Sequence, residues 1–105
     1  MEFRNENGRL RAMLTGEIDH HSAKKICEEI DIQLYAQTPN ALYLDFTRVT
    51  FMDSSGLAVV AGRKRVCNAL KIKAFVVNIS GYPEKILKMS GAQRIIDFLE
   101  ENNEN

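Results

Sequence analysis

The chain begins with apolar and polar residues that alternate on either side of Asn7-Gly8. Asn-Gly is a strong two-residue hairpin signal, because both central positions of a type I′ turn need a positive φ. Pairing the flanking segments across this turn places Phe3 opposite Ala12. One face of the hairpin then carries only apolar residues, namely Phe3, Leu10, Ala12 and Leu14. The pattern predicts an antiparallel β-hairpin at the start of the fold.

A loop is predicted at residues 15–17, and Asp19 after it is a natural N-cap for a first helix. The residues that follow carry one apolar stripe at helical spacing, about four turns long. The stripe consists of Ala23, Ile26, Cys27, Ile30 and Leu34. Thr38-Pro39-Asn40 ends the helix, because proline cannot continue it.

Two further helices are predicted from capping signals and spacing. Asp53-Ser54-Ser55-Gly56 precedes a stretch in which Val59, Val60, Val66, Cys67 and Leu70 share one side. Arg63 lies on that same side, so it must extend outward or meet an acceptor. A third helix opens at Gly81–Glu84, with Pro83 in its first turn and Gly91 placed to close it.

The remaining apolar segments alternate with polar residues and predict strands. Leu42, Leu44 and Phe46 alternate with Tyr43 and Asp45, and a second strand runs from Lys73 to Ile79 with Phe75, Val77 and Ile79 on one face. A last apolar patch at residues 95–99 is either a short edge strand or a docking segment. The element order is β-β-α-β-α-β-α. Because the strands alternate, we expect an α/β fold with a mixed sheet of about four to five strands, flanked mainly on one face by helices.

Length and charge narrow the function classes. The chain has 105 residues, and we expect one domain over residues 1–99 and a polar, disordered tail over residues 100–105. Fourteen basic and fourteen acidic residues cancel, so bulk charge does not indicate a nucleic-acid partner.

Cys27 and Cys67 both fall on apolar stripes, which favours reduced core thiols over a disulfide. No N-terminal signal and no membrane-length apolar stretch are present, and we expect a cytoplasmic protein without a membrane partner.

The segment from Phe51 to Leu57 (sequence FMDSSGL) is the strongest candidate for chemistry. Its polar residues are ordinary capping residues for a helix start. A nucleophilic serine is poorly supported, because no G-x-S-x-G elbow is present and no base is identifiable beyond His20 and His21. A phosphoacceptor serine is the third interpretation, since a phosphoryl group at a helix N-terminus meets the positive end of the helix dipole. There it would change one exposed corner and leave the core intact. We interpret Phe51 and Met52 as core anchors for this loop.

Other constellations are weaker. His20 and His21 are adjacent, so their side chains diverge on a helix, and no acidic or thiol cluster converges with them; we expect no metal site. No Walker-type loop is present, so a nucleotide-binding domain would rest only on the polar loops near Asp19 and Asp53. We expect no cofactor.

Two segments together resemble a known family. Residues 15–23 (TGEIDHHSA) and 49–57 (VTFMDSSGL) are similar to the two signature segments of STAS-domain anti-sigma factor antagonists, in particular those of the sporulation pathway that controls sigma factor F. The two motifs occur in the right order, about thirty residues apart. The similarity extends over nearly the whole chain, to residue 96.

The resemblance implies a partner-switching cycle without catalysis by this chain. The unphosphorylated antagonist binds an anti-sigma factor that is also a serine kinase, and so releases a sigma factor. The kinase phosphorylates the serine after the motif's aspartate, which corresponds to Ser54, and a PP2C-type serine phosphatase reverses the modification. The partner-binding residues implied by the same motifs are Asp19, His20, Asp53, Ser55 and Gly56. The alternative is a STAS domain that serves as a non-switching scaffold or as a subunit in stress signalling or lipid transport.

Overall fold

The computed structural model describes residues 1–101. Its strands are β1 (Glu2–Glu6), β2 (Arg9–Ile18), β3 (Ala41–Met52), β4 (Lys73–Val77) and β5 (Asp97–Leu99). Its helices are α1 (His20–Gln37), α2 (Ser55–Leu70) and α3 (Gly81–Met89), followed by a short 3-10 helix at Ala92–Arg94. Most of the predicted tail, residues 102–105, lies outside the described residues.

The five strands form one mixed sheet in the order β1-β2-β3-β4-β5. β1 pairs with β2 in the antiparallel sense, and Phe3 lies opposite Ala12, as the hairpin pattern predicts. β2, β3, β4 and β5 are parallel neighbours. α1, α2 and α3 connect successive parallel strands, as parallel pairing requires. The predicted fold class is confirmed, and the last apolar patch contributes the edge strand β5.

One hydrophobic cluster lies between the helices and one face of the sheet. The sheet contributes alternate residues of its three central strands, α1 and α2 contribute the apolar stripes predicted for them, and α3 contributes Leu87. The fully buried members include Leu10, Leu14, Ile30, Leu34, Leu42, Leu44, Val59, Val60, Val76 and Leu87. Since residues from α1, α2 and α3 join the same cluster, the helices cover the same face of the sheet.

Within residues 1–101, no helix packs against the opposite face of the sheet. Arg11, Tyr43 and Phe75 lie side by side across β2, β3 and β4, and the next row contains Met13, Asp45 and Val77. Met13 and Val77 are buried but do not belong to the main cluster. We call this surface the open face.

Three predictions about local structure were wrong. Residues 15–17 continue β2 and do not form a loop; two register shifts against β3 accommodate them, and Gly16 takes a φ of 79° beside the second. The strand predicted over Lys73–Ile79 ends at Val77: Phe75 and Val77 share one face, as predicted, whereas Ile79 lies beyond the strand and packs against the core cluster. Phe51 is 44% exposed and does not anchor the loop, because it points away from the cluster that Met52 enters.

Candidate functional site

The two signature segments meet at one edge of the sheet. β2 and β3 are parallel neighbours with Ile18 beside Met52, so the residues that follow each strand leave the sheet together. The backbone N–H of Asp53 donates a hydrogen bond of 3.1 Å to the carbonyl of Ile18. The structure therefore brings the Asp19 turn and the Asp53–Gly56 turn side by side.

Asp19 caps α1 through a complete capping box. Its carboxylate accepts hydrogen bonds from the backbone N–H groups of His21 and Ser22, each at 3.0 Å, and the Ser22 hydroxyl accepts from the Asp19 backbone N–H. The bond from the Ser22 backbone lowers the pKa of Asp19, and the bond from His21 acts in the same sense. Asp19 is thus held as a carboxylate at this edge, with His20 exposed beside it.

Asp53, not Ser54, satisfies the start of α2. The Asp53 carboxylate accepts from the Ser55 backbone N–H at 2.8 Å, and the Asp53 carbonyl accepts from the Gly56 N–H at 3.0 Å. Ser54 has helical backbone angles, with φ −64° and ψ −13°, and its side chain makes no capping hydrogen bond. Ser54 is exposed and its hydroxyl is not needed to cap the helix, so the hydroxyl is accessible to a modifying enzyme.

Gly56 lies beneath this turn and is buried. A Cβ atom at this position would come within 2.2 Å of the Met52 sulfur, and Met52 is itself fully buried. Because this residue is glycine, the first turn of α2 can pack closely against the end of β3. This close packing determines the position of Ser54 relative to the sheet. Since Gly56 is buried, a partner would contact the turn whose conformation Gly56 permits, and not Gly56 itself.

A phosphoryl group on Ser54 would add about 1.5 to 2 negative charges at this edge. The Ser55 and Gly56 amides of the first turn already bond to Asp53, so the phosphate would share its surroundings with the carboxylates of Asp53 and Asp19. The phosphate would make the potential at this edge more negative. The core beneath them would be undisturbed.

An apolar groove continues from the turn along α2. Leu57, Val60 and Ala61 line one wall, and Ala92 and Ile95 line the other, around a volume of about 260 Å³. Ile95 is 49% exposed. The groove begins at Leu57, three residues after Ser54, so its apolar surface lies close to Ser54.

The other candidate groups bring little chemistry. Within residues 1–101 no three His, Cys, Asp or Glu side chains are grouped to hold a metal ion. The rings of His20 and His21 lie edge to face with centroids 5.8 Å apart. Both cysteines are free, as predicted, and burial raises the pKa of the Cys67 thiol to about 11, so it stays protonated. No helix in the described part of the chain is long and apolar enough to cross a membrane.

Two charged clusters were not found from the sequence. Arg11 on the open face contacts Asp45 and Glu101, and the last of these belongs to the predicted tail, where no periodicity exists to locate it. Arg63 does meet an acceptor, Asp31 of α1, with Nε and Oδ1 2.9 Å apart. The sequence indicated the need for an acceptor but not which residue supplies it.

Comparison with known proteins places this chain in a family. The model of the STAS domain family matches residues 3–104, and the chain belongs to this family. Two curated relatives carry the name anti-sigma F factor antagonist. The protein from Paenibacillus polymyxa is 29% identical over 96 residues, which are 91% of this chain and 82% of the relative. The protein from Lysinibacillus sphaericus is 32% identical over 78 residues, covering 74% of this chain and 67% of the relative.

Solved structures agree with this placement. The anti-sigma factor antagonist SpoIIAA in its unphosphorylated form is similar with a TM-score of 0.80 at 27% identity, covering 97% of this chain and 90% of that chain. The Bacillus cell fate determinant SpoIIAA in the phosphorylated form is similar with a TM-score of 0.72 at 27% identity, covering 97% and 93%. A Thermotoga maritima protein with a TM-score of 0.87 at 15% identity, covering 95% of this chain and 86% of that chain, shares the fold.

Proposed function

We propose that this protein is an anti-sigma factor antagonist that is switched off by phosphorylation of Ser54. In its unphosphorylated form it binds an anti-sigma factor that is also a serine kinase, and thereby releases a sigma factor. A PP2C-type serine phosphatase returns it to the binding form. The observation that carries this proposal is the exposed Ser54, whose hydroxyl is not used to cap the helix that it precedes. The names of the relatives and the two solved forms of SpoIIAA support it.

The proposed contact surface combines charge with apolar area. Asp19, His20 and Asp53 give it a polar rim, and the groove beginning at Leu57 gives it an apolar centre. Interfaces commonly have an apolar centre surrounded by polar residues. Ser54 lies where rim and groove meet, so a phosphate there would oppose docking by adding charge that must lose water on binding.

Phosphorylation by a cognate kinase anti-sigma factor and ATP is expected to add one phosphate per chain, at Ser54. Ser54→Ala should accept none, because it lacks the hydroxyl. Ser80→Ala is the control and should be modified at the wild-type rate, since Ser80 is exposed, makes no capping hydrogen bond and lies outside both signature segments. Intact-mass spectrometry followed by peptide mapping measures the result. Full modification of Ser54→Ala would refute the assignment.

Charge alone at position 54 is expected to weaken binding. Ser54→Asp should lower the affinity for the anti-sigma factor by roughly tenfold or more, because a desolvated carboxylate beside Asp53 costs on the order of 1–3 kcal/mol. Ser54→Asn, of similar size and without charge, separates charge from shape. Titration calorimetry gives the affinities, and circular dichroism checks that both variants stay folded. Equal affinities of the Asp and Asn variants would argue against an electrostatic switch.

The same experiments distinguish the non-switching alternative. A STAS scaffold or transport subunit would bind its partner with an affinity that does not respond to Ser54→Asp. The proposed role is recognition of a protein partner, and it assigns no catalytic step to this chain.

A further inference from the structure

The open face holds a polar cleft of about 620 Å³ on the side of the sheet away from the helices. Three arginines line it, namely Arg4, Arg11 and Arg48, together with the acidic residues Glu6, Asp45 and Glu101. None of these residues takes part in the Ser54 site. The volume lies within the range of about 300–1,000 Å³ that is typical of small-molecule sites.

Arg4 and Arg11 are placed against each other. They are directly paired residues of β1 and β2, so their side chains leave the same face of the hairpin as neighbours. Like charges in directly opposite positions destabilise a strand pair. An anion between the two guanidinium groups would remove that repulsion, and such an arrangement is typical of anion recognition.

Arg11 is held in one position. Its Nη1 lies 2.8 Å from Oδ2 of Asp45, and its guanidinium carbon lies 5.3 Å from the centre of the Tyr43 ring. Asp45 is itself fixed by hydrogen bonds from the backbone N–H and the hydroxyl of Thr47, at 2.9 and 2.6 Å. This support orients the guanidinium and leaves its second edge, Nη2, for another acceptor.

Glu101 supplies that acceptor from within the chain. Its carboxylate contacts Nη2 of Arg11, and its backbone N–H donates to Oδ1 of Asn78 at 2.8 Å. Arg4, by contrast, forms no ion pair with any residue among 1–101. Arg11 in the cleft thus contacts two carboxylates, those of Asp45 and Glu101, and Arg4 beside it has no such partner within the described part of the chain. Without Glu101 its lining residues would carry more positive than negative charge.

We propose that this cleft binds a small di- or tricarboxylate, with Arg4 and Arg11 as the recognition residues and Glu101 as a competing group of the same chain. Arg11 receives one carboxylate in place of Glu101, and Arg4 receives another. The ligand is a carboxylate because the planar edge of a guanidinium matches its two oxygens, and because the group already on Arg11 is a carboxylate. Asp45 and Tyr43 are positioning residues for Arg11.

Citrate titration, followed by calorimetry at constant ionic strength, tests the proposal. Arg4→Gln should weaken citrate binding by roughly threefold, because the ligand loses one of its two exposed guanidinium contacts. Glu101→Gln should tighten it by a similar factor, because the competing charge is removed. Arg65→Gln, an exposed position on α2, is the control and should bind as the wild type does. Arg4 is exposed on an edge strand, so its replacement leaves the fold intact, as unfolding in urea will verify.

Acetate and phosphate define the ligand class. Acetate should bind more weakly than citrate, because it reaches only one arginine. Phosphate that competes with citrate at equal or lower concentration would overturn the carboxylate assignment. Unchanged citrate binding in Arg4→Gln would overturn the site itself, and unchanged binding in Glu101→Gln would overturn the role of Glu101. Neither result bears on phosphorylation of Ser54.

Discussion

Two glycines of α2 have opposite structural roles. At Gly56 an added Cβ would collide with the buried side chain of Met52, whereas at Gly62 nothing lies within 4 Å of the position that a Cβ would take. Both lie within the same helix, where glycine is less favourable than alanine. The environment, and not the helix propensity, therefore decides the effect of a methyl group at each position.

Gly56→Ala should destabilise the protein by about 1–3 kcal/mol, the usual cost of forcing extra volume into a filled space. Gly62→Ala should stabilise it by about 0.5–1 kcal/mol, because the helix gains propensity without a clash. Urea unfolding of the two variants gives the free energies. A stabilised Gly56→Ala would mean that Met52 moves freely, and the close approach would then not constrain the Ser54 turn.

At the scale of elements, α1 and α2 are joined by a charged pair within an apolar contact. Arg63 is 7% exposed, and its Nε lies 2.9 Å from Oδ1 of Asp31. These atoms and Nη1 of Arg63 are buried and make no hydrogen bond within residues 1–101, so the contact is one of charge and not of aligned donors. Burial raises the pKa of Asp31, against the opposing charge of Arg63.

Removal of one member of this pair should cost more than removal of both. Asp31→Ala leaves a buried guanidinium without a counter-charge and should destabilise the fold by about 1–3 kcal/mol. Asp31→Ala combined with Arg63→Met removes the buried charge and should recover at least half of that loss. A double-mutant cycle in urea measures the coupling. Additive effects would indicate that the pair does not link the helices.

The sequence predicted helices and strands well where the apolar residues keep one regular spacing along the whole element. Helical spacing located α1 and α2, and Asn7-Gly8 determined the hairpin register. It failed at residues 15–17, because bulges break the two-residue alternation while the chain remains in the sheet. In β4 the apolar alternation continues to Ile79, but the strand ends at Val77, where Asn78 takes a φ of 57°.

At the scale of the whole molecule, the helices of the described part of the chain cover one face of the sheet and leave the other without a helix. Four parallel strands are more often covered on both faces. Here a network of polar side chains covers part of the open face. In this network Asp45 contacts Thr47 of its own strand and Arg11 of β2. Burial opposes ionisation of Asp45, but the bonds from Thr47 and Arg11 outweigh it and lower the pKa of this carboxyl.

This network should make stability depend on acid pH. A carboxyl whose pKa is lower in the folded state stabilises the fold above its unfolded pKa of about 3.9, and this contribution is lost as the pH falls through the folded value. Asp45→Asn should therefore be less stable than the wild type at pH 7 by about 1–3 kcal/mol, with the difference shrinking below about pH 4. Urea unfolding across this range measures it. Asp97→Asn, exposed on β5, is the control; a constant gap for Asp45→Asn would contradict the mechanism.

The candidate site was predictable only in part. The two signature segments indicated Ser54 and Asp19, but physical reasoning alone treated Ser54 as one of several caps. Which residue caps depends on backbone angles: Asp53 takes the Ser55 amide and leaves Ser54 free. The Arg11 cluster joins residues far apart in the sequence, so no local pattern could locate it.

The hydrogen bond from the Asp53 amide to the Ile18 carbonyl also bears on how events at this edge could be followed in time. An amide proton in such a bond exchanges with deuterium only when the bond opens. Exchange at residue 53 therefore records how often the turn before Ser54 separates from β2. A partner that clamps the turn will slow this exchange, and its departure will restore the rate of the free domain.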